Sequence, residues 1–160
     1  MKIIETASTL THAHRCSQIG CIIYTFVLLS ILKIPSKESI FKGLTFAEGI
    51  LADHPEFSRY SRIFEDNFAS LSRDEIKSTG YVVDTLEAAL WCVLTTDNYR
   101  DCVLKAVNLG DDTDTVAAVT GGLTGALYGY DAIPQEWKDT LLRRDYIESL
   151  CEKACENWVK

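Results

Sequence analysis

The run Asn108-Leu109-Gly110-Asp111-Asp112-Thr113-Asp114-Thr115 gathers three carboxylates and two threonines into positions 111–115. Gly110 is placed to end one helix and the acids to open the next. A helix start takes one acid at the cap, worth about 1 kcal/mol, and the dipole favours another in the first turn. Three acids this close repel one another, so the surplus points to a cation among them. The D-x-D-T of Asp112, Asp114 and Thr115 offers hard oxygen ligands, which suit Mg²⁺ or Ca²⁺ rather than zinc, and it lacks the EF-hand pattern. The competing reading is an over-acidic helix cap.

The helix that must carry these acids runs from Asp114 to Tyr128 and is closed by Gly129. Small residues recur along it four apart, in the rows Ala117/Gly121/Gly125/Gly129 and Ala118/Gly122/Ala126. Each internal glycine costs a helix about 0.8 to 1.0 kcal/mol relative to alanine. We therefore expect close packing on neighbouring helices, with Gly122 and Gly125 as buried contact glycines. The stretch is shorter than the roughly 20 apolar residues of a membrane span.

Other punctuation predicts further helices. Ser36 can cap one that runs to about Ala52, where His54-Pro55 stops it, because the residue before proline avoids the α region. Glu56 to Phe68 reads as a short irregular helix, and Ser72-Arg73-Asp74-Glu75 has capping-box spacing. Helices then follow over Val83 to Leu94, Asn98 to Leu109, Pro134 to Leu142 and Tyr146 to Trp158. Ile19 to Leu32 is mostly apolar but has the length of a buried helix rather than a span, and we read it as the central core helix. No stretch alternates with period two, so the expected class is an all-α orthogonal helical bundle, one partial domain over residues 1–160.

At this level the chain is recognisable. Gly110-Asp111-Asp112-Thr113-Asp114-Thr115, followed by Val119-Thr120-Gly121-Gly122 and Gly125-Ala126-Leu127-Tyr128-Gly129, resembles the metal-binding C-terminal signature of the ADP-ribosylglycohydrolase family, to which the dinitrogenase reductase-activating glycohydrolases belong. Thr11-His12-Ala13-His14 is similar to the family's T-H-x-x element, and Gly80-Tyr81-Val82-Val83-Asp84-Thr85-Leu86-Glu87-Ala88-Ala89 to its G-Y-V-V-x-T-L-E-A-A segment. Ile133-Pro134-Gln135-Glu136-Trp137 resembles its I-P-x-x-W. The family's N-terminal G-D-x-x-G, T-D-D and glycine-rich elements have no counterpart before Thr11, so the expectation is a C-terminal half only.

The resemblance implies roles. Asp112, Asp114 and Thr115 would be ligands in a two-metal Mg²⁺ site, with Mn²⁺ as an alternative ion, and Asp112 and Asp114 would carry the catalytic function. His12, Gly80, Tyr81, Val82 and Asp84 would face ADP-ribose, with weaker support for His14. Gly80 would permit positive φ and a close approach to the ligand, while Asp84 could reach the ribose or cap the helix that follows. Asp111 could cap its helix or support the ligands. The substrate would be an ADP-ribosylated protein or small molecule, and a separate N-terminal half is an expected partner.

The 160 residues are 47% hydrophobic and 24% charged, enough for one sizeable core. A formal charge of −7 without a basic stripe argues against binding a nucleic-acid backbone, and no membrane role is expected. The six cysteines form no C-x-x-C pair, so they read as small hydrophobes in a reducing, cytoplasmic setting. Cys151 and Cys155, four apart, are expected to pack rather than bind metal. Trp91, Trp137 and Trp158 are read as core and docking aromatics. Three functions follow: a glycohydrolase that needs its N-terminal half, a non-catalytic binding or structural module, or an inactive gene remnant.

Overall fold

Burial decides which of the apolar runs forms the centre. The computed structural model describes residues 1–158, with only the backbone of residue 158. Its helices are α1 (Lys2–Thr9), α2 (Arg15–Lys33), α3 (Lys37–Leu51), α4 (Val82–Leu94), α5 (Tyr99–Val107), α6 (Thr113–Tyr128), α7 (Gln135–Thr140) and α8 (Arg144–Trp158). Short 3-10 helices cover Pro55–Phe64, Phe68–Ser70, Arg73–Glu75 and Tyr130–Ala132, and no strand occurs among the described residues. The fold is the all-α bundle expected. Ser72 and Glu75 form the expected capping box, with the Glu75 carboxylate accepting from the Ser72 backbone N–H at 2.9 Å.

Residues 85–93 of α4 are all buried, so α4 is the most enclosed helix. Apart from Asp84, Thr85 and Glu87 its residues are apolar on every side, and such a helix belongs inside. The sequence reading gave this place to Ile19 to Leu32. That segment does form α2, which packs against α1, α3, α4, α6 and the 3-10 helix Pro55–Phe64. Its Ile22, Ile23, Val27 and Ile31 are buried, but Leu29 and Leu32 are more than half exposed. By length and hydropathy alone α2 could cross a membrane; in this fold one side of it is core. The helix α1 had no forecast signal, and it packs on α2 just before the Thr11-His12 element.

The glycine expectation for α6 is corrected. Its buried stripe is Val116, Thr120, Leu123, Thr124 and Leu127, while Gly122 is exposed. A Cβ on Gly125 would meet only Tyr99, at an ordinary 3.8 Å, and one on Gly122 would run into the Tyr24 hydroxyl, the movable end of a side chain. The small-residue rows flank the contact surface instead of forming it. The close backbone approach lies between α2 and α3, where a Cβ on Gly43 would sit 2.5 Å from Val27 Cα.

The cysteine reading is corrected in part. Cys16, Cys92 and Cys102 are buried and all six thiols are free, but Cys151 and Cys155 are exposed on α8. Burial pushes the Cys92 thiol up to about 12, which keeps it an inert hydrophobe. Trp91 is buried and donates its indole N–H to Leu71 O at 3.0 Å, whereas Trp137 is half-buried with its ring centroid 6.2 Å from that of Tyr99. The side chain of Trp158 lies outside the described residues.

Candidate functional site

Three helix starts and one loop enclose the cleft that matters. Gly110, at φ 88°, and Asp111, at φ 55°, both adopt the left-handed region, which glycine enters freely and aspartate tolerates. This pair reverses the chain from α5 into α6. The turn is tied to the loop before α4: Asp112 N–H donates to Ser78 O at 3.0 Å, and the Ser78 hydroxyl donates to Gly110 O at 3.0 Å. The Asp112 carboxylate then lies against Gly80, where a Cβ would stand 3.1 Å from its Oδ2. A side chain at Gly80 would crowd this carboxylate and require it to shift slightly, and the expected positive φ is absent.

Asp112 occupies the N-cap of α6 without capping a backbone N–H; its Oδ1 accepts from the Thr115 hydroxyl at 2.8 Å. Asp114 is exposed in the first turn, where the dipole favours it. Asp111 is exposed and not the cap. Asp84 does not cap α4, whose N-cap is Tyr81. Its Oδ2 accepts from Thr79 Oγ1 at 2.6 Å, and the same Oγ1 accepts from Tyr81 N–H at 3.1 Å. Asp84 thus braces the Gly80-Tyr81 loop against the first turn of α4.

On the other wall, Ser8 holds the Thr11-His12 turn: its hydroxyl donates to His12 O at 3.1 Å and its carbonyl accepts His12 N–H at 2.8 Å. His14 is the N-cap of α2, with Nδ1 accepting from Cys16 N–H at 3.1 Å. Cys16 ties the walls together. Its carbonyl accepts from Tyr60 Oη at 2.9 Å, and its Sγ lies 3.6 Å from Tyr81 Oη. Burial and the Cys16 thiol hold the Tyr60 phenol well above its ordinary value; the Cys16 contact, then burial, raise Tyr81. Both phenols stay protonated at neutral pH and can donate.

The result is a cavity of about 610 Å³ lined by His12, His14, Gly80, Tyr81, Val82 and Thr115, with Ser8, Cys16, Ser17 and Arg59 completing its polar wall. An apolar groove of about 550 Å³ adjoins it, sharing Ser8, Val82, Thr85 and Val119 and extending over Ile3, Ile4 and Leu86. The cavity thus brings together His12, Gly80, Tyr81, Val82 and Thr115 from the sequence reading. Asp112, Asp114 and Asp84 are not among its lining residues, although the Asp112 carboxylate lies against Gly80. Arg59, Ser8 and Cys16 were missed, and Arg59 and Ser8 lie in no motif that could have signalled them.

Asp112, Asp114 and Thr115 have the hard-oxygen chemistry for Mg²⁺. They amount to a partial donor set, because among the described residues no group of three or more His, Cys, Asp or Glu converges to hold a metal ion.

The family model described as ADP-ribosylglycohydrolase matches residues 1–160. The chain belongs to the ADP-ribosylglycohydrolase family. It is 40% identical over 149 residues to the ADP-ribosylarginine hydrolase Tri1 of Serratia proteamaculans, covering 93% of this chain and 38% of that protein. It is 42% identical over 65 residues to the ADP-ribosyl-[dinitrogen reductase] glycohydrolase of Rhodospirillum rubrum, covering 41% of this chain and 22% of that protein. A solved ADP-ribosylglycohydrolase-related protein complex superposes with a TM-score of 0.78 at 34% identity, over 91% of this chain and 49% of that one. This ADP-ribosylglycohydrolase chain therefore spans half or less of the length of these relatives.

Proposed function

We propose that this chain contributes to the hydrolysis of the glycosidic bond between ADP-ribose and an acceptor, with the ADP-ribosyl group seated in the His12–Tyr81 cleft. The observation that carries this reading is the single cavity lined by His12, Gly80, Tyr81, Val82 and Thr115. The relative named an ADP-ribosylarginine hydrolase supports arginine on a modified protein as the acceptor. Asp112, Asp114 and Thr115 would give hard oxygens to Mg²⁺, with Mn²⁺ as an alternative, and the remaining donors would come from outside these residues. Bound Mg²⁺ supplies a Lewis acid that orients ribose hydroxyls and positions water. The chain's own part is to hold the sugar: protonated Tyr81 donates into the cleft, and Gly80 leaves room for Asp112 behind the loop. The six free thiols support a reducing, cytoplasmic location.

The test uses the 160-residue chain and the same chain joined to a complementary family N-terminal half. The chain alone should bind ADP-ribose by calorimetry without turning over ADP-ribosylarginine. The joined protein should release ADP-ribose with Mg²⁺ and lose this on Asp114→Asn. Absence of ADP-ribose binding would overturn the cleft reading, and turnover by the chain alone would overturn the need for outside residues. A binding module is the second reading, favoured by the partial donor set; it predicts a soluble joined protein that binds without turnover.

A further inference from the structure

Arg59 stands on the 3-10 helix Pro55–Phe64, whose buried Phe57, Tyr60 and Ile63 anchor it to the core and leave Arg59 at the cleft rim. The chain carries 23 acids against 16 bases, yet no aspartate or glutamate lines the 610 Å³ cavity. Its charged or chargeable nitrogen groups are Arg59, His12 and His14. The first turn of α2 opens on the same space through Cys16 and Ser17, and that turn contains no acid. A 19-residue helix adds its positive dipole end there. In a chain so acidic, a cleft without carboxylates selects for an anionic ligand.

The guanidinium is already oriented. Arg59 Nε donates to Glu56 Oε2 at 2.6 Å, and Arg59 lines the same cavity as Tyr81. A fork held at Nε by one carboxylate keeps its terminal N–H groups in a fixed plane, the arrangement that grips phosphate oxygens in pairs. Glu56 lies outside the cavity lining and works as a tether.

We propose that Arg59 binds the diphosphate of the ADP-ribosyl ligand, clamping its oxygens against the N-terminal turn of α2. This rests on the reading that the cleft takes ADP-ribose. Adenosine, which lacks the diphosphate, gains nothing from Arg59, while ADP-ribose and inorganic pyrophosphate do.

The test is calorimetry on the full 160-residue chain with ADP-ribose, inorganic pyrophosphate and adenosine as probes. Arg59→Gln should weaken ADP-ribose and pyrophosphate about tenfold, equivalent to about 1.4 kcal/mol, and leave adenosine unchanged. Arg59→Lys should fall between, because a point charge replaces the fork. Glu56→Gln should weaken ADP-ribose and pyrophosphate several-fold by releasing the fork, and leave adenosine unchanged. A merely structural role of this pair would weaken adenosine along with ADP-ribose, and that result overturns the proposal. Wild-type ADP-ribose affinity in Arg59→Gln, or an equal loss for adenosine, overturns Arg59 while leaving the cleft reading intact. A wild type that binds none of the three probes overturns both.

Discussion

Gly43 and Gly49 lie on the same helix, and the structure assigns them opposite responses to alanine. By helix propensity alone each substitution should stabilise by about 0.8 to 1.0 kcal/mol. At Gly49 a Cβ meets nothing within 4 Å, so that gain should appear almost undiminished. At Gly43 the Cβ would stand 2.5 Å from Val27 Cα, 2.8 Å from Phe26 O and 2.9 Å from Val27 N. All three are backbone atoms of α2, so no side chain can rotate away. Restoring ordinary contact requires α2 and α3 to separate by about 1 Å, in an interior packed too tightly to yield without loss. That movement would loosen a core cluster containing Val27, Ile31, Ile40, Leu44 and Ala47, each 4% exposed or less. Overpacking costs about 1 to 3 kcal/mol, and against backbone atoms that cannot rotate away the upper part of that range, about 2 to 3 kcal/mol, applies; after the propensity gain of about 1 kcal/mol the net loss should be about 1 to 2 kcal/mol. For a domain of this size it lowers the melting midpoint by about 2 to 8 °C. Thermal and urea denaturation of the two variants beside wild type provide the assay. If Gly43→Ala melts at or above wild type, as Gly49→Ala should, the backbone contact between α2 and α3 is refuted.

Two further outcomes concern buried polar groups. Burial raises the pKa of Glu87, opposed by Arg62 at 3.7 Å, so the group's contribution to stability is fully present below its ordinary 4.5 and lost as pH rises through its folded value. Removing the cation with Arg62→Leu should cost about 1 to 3 kcal/mol at pH 7, moderated because Arg62 is 31% exposed, and the deficit relative to wild type should shrink as Glu87 protonates. Urea titrations at pH 7 and pH 4.5 measure this, and a deficit independent of pH would show that the ion pair is not its source. Thr120 is fully buried on α6, and among the described residues its hydroxyl has no hydrogen-bond partner. Thr120→Val keeps the shape and removes the stranded group, so it should raise stability by about 1 kcal/mol in chemical denaturation; a loss would reveal a partner for the hydroxyl.

Much of the helical layout was legible because caps and stops are local. Pro55, the Ser72/Glu75 box and Asn98 each act within a few residues and fall at or next to an observed boundary, whereas α5 ends at Val107, three residues before the expected stop at Gly110. The helix α1 was missed because it has no comparable stop signal and depends on docking against α2. The glycine rows of α6 misled for a related reason. A four-residue spacing marks one side of a helix, but only the neighbours decide whether that side faces core, and here Val116, Thr120, Leu123 and Leu127 face it instead. Gly43 stands in a shorter row of the same spacing, Ser39/Gly43/Ala47, and there all three are buried.

The sequence by itself determined the class of elements, the family through motifs in order, and the chemistry concentrated in Asp112, Asp114, Thr115 and His12. These are properties of residue type and short spacing. Only the tertiary structure decided which of them share a cavity, because that depends on how the starts of α2, α4 and α6 converge. It placed Thr115 with His12 and Tyr81 in the cleft lining, turned Asp84 to brace a loop, and set Asp112 against Gly80. It also brought Arg59 to the rim from a segment with no motif, since proximity across a folded core leaves no trace in linear spacing.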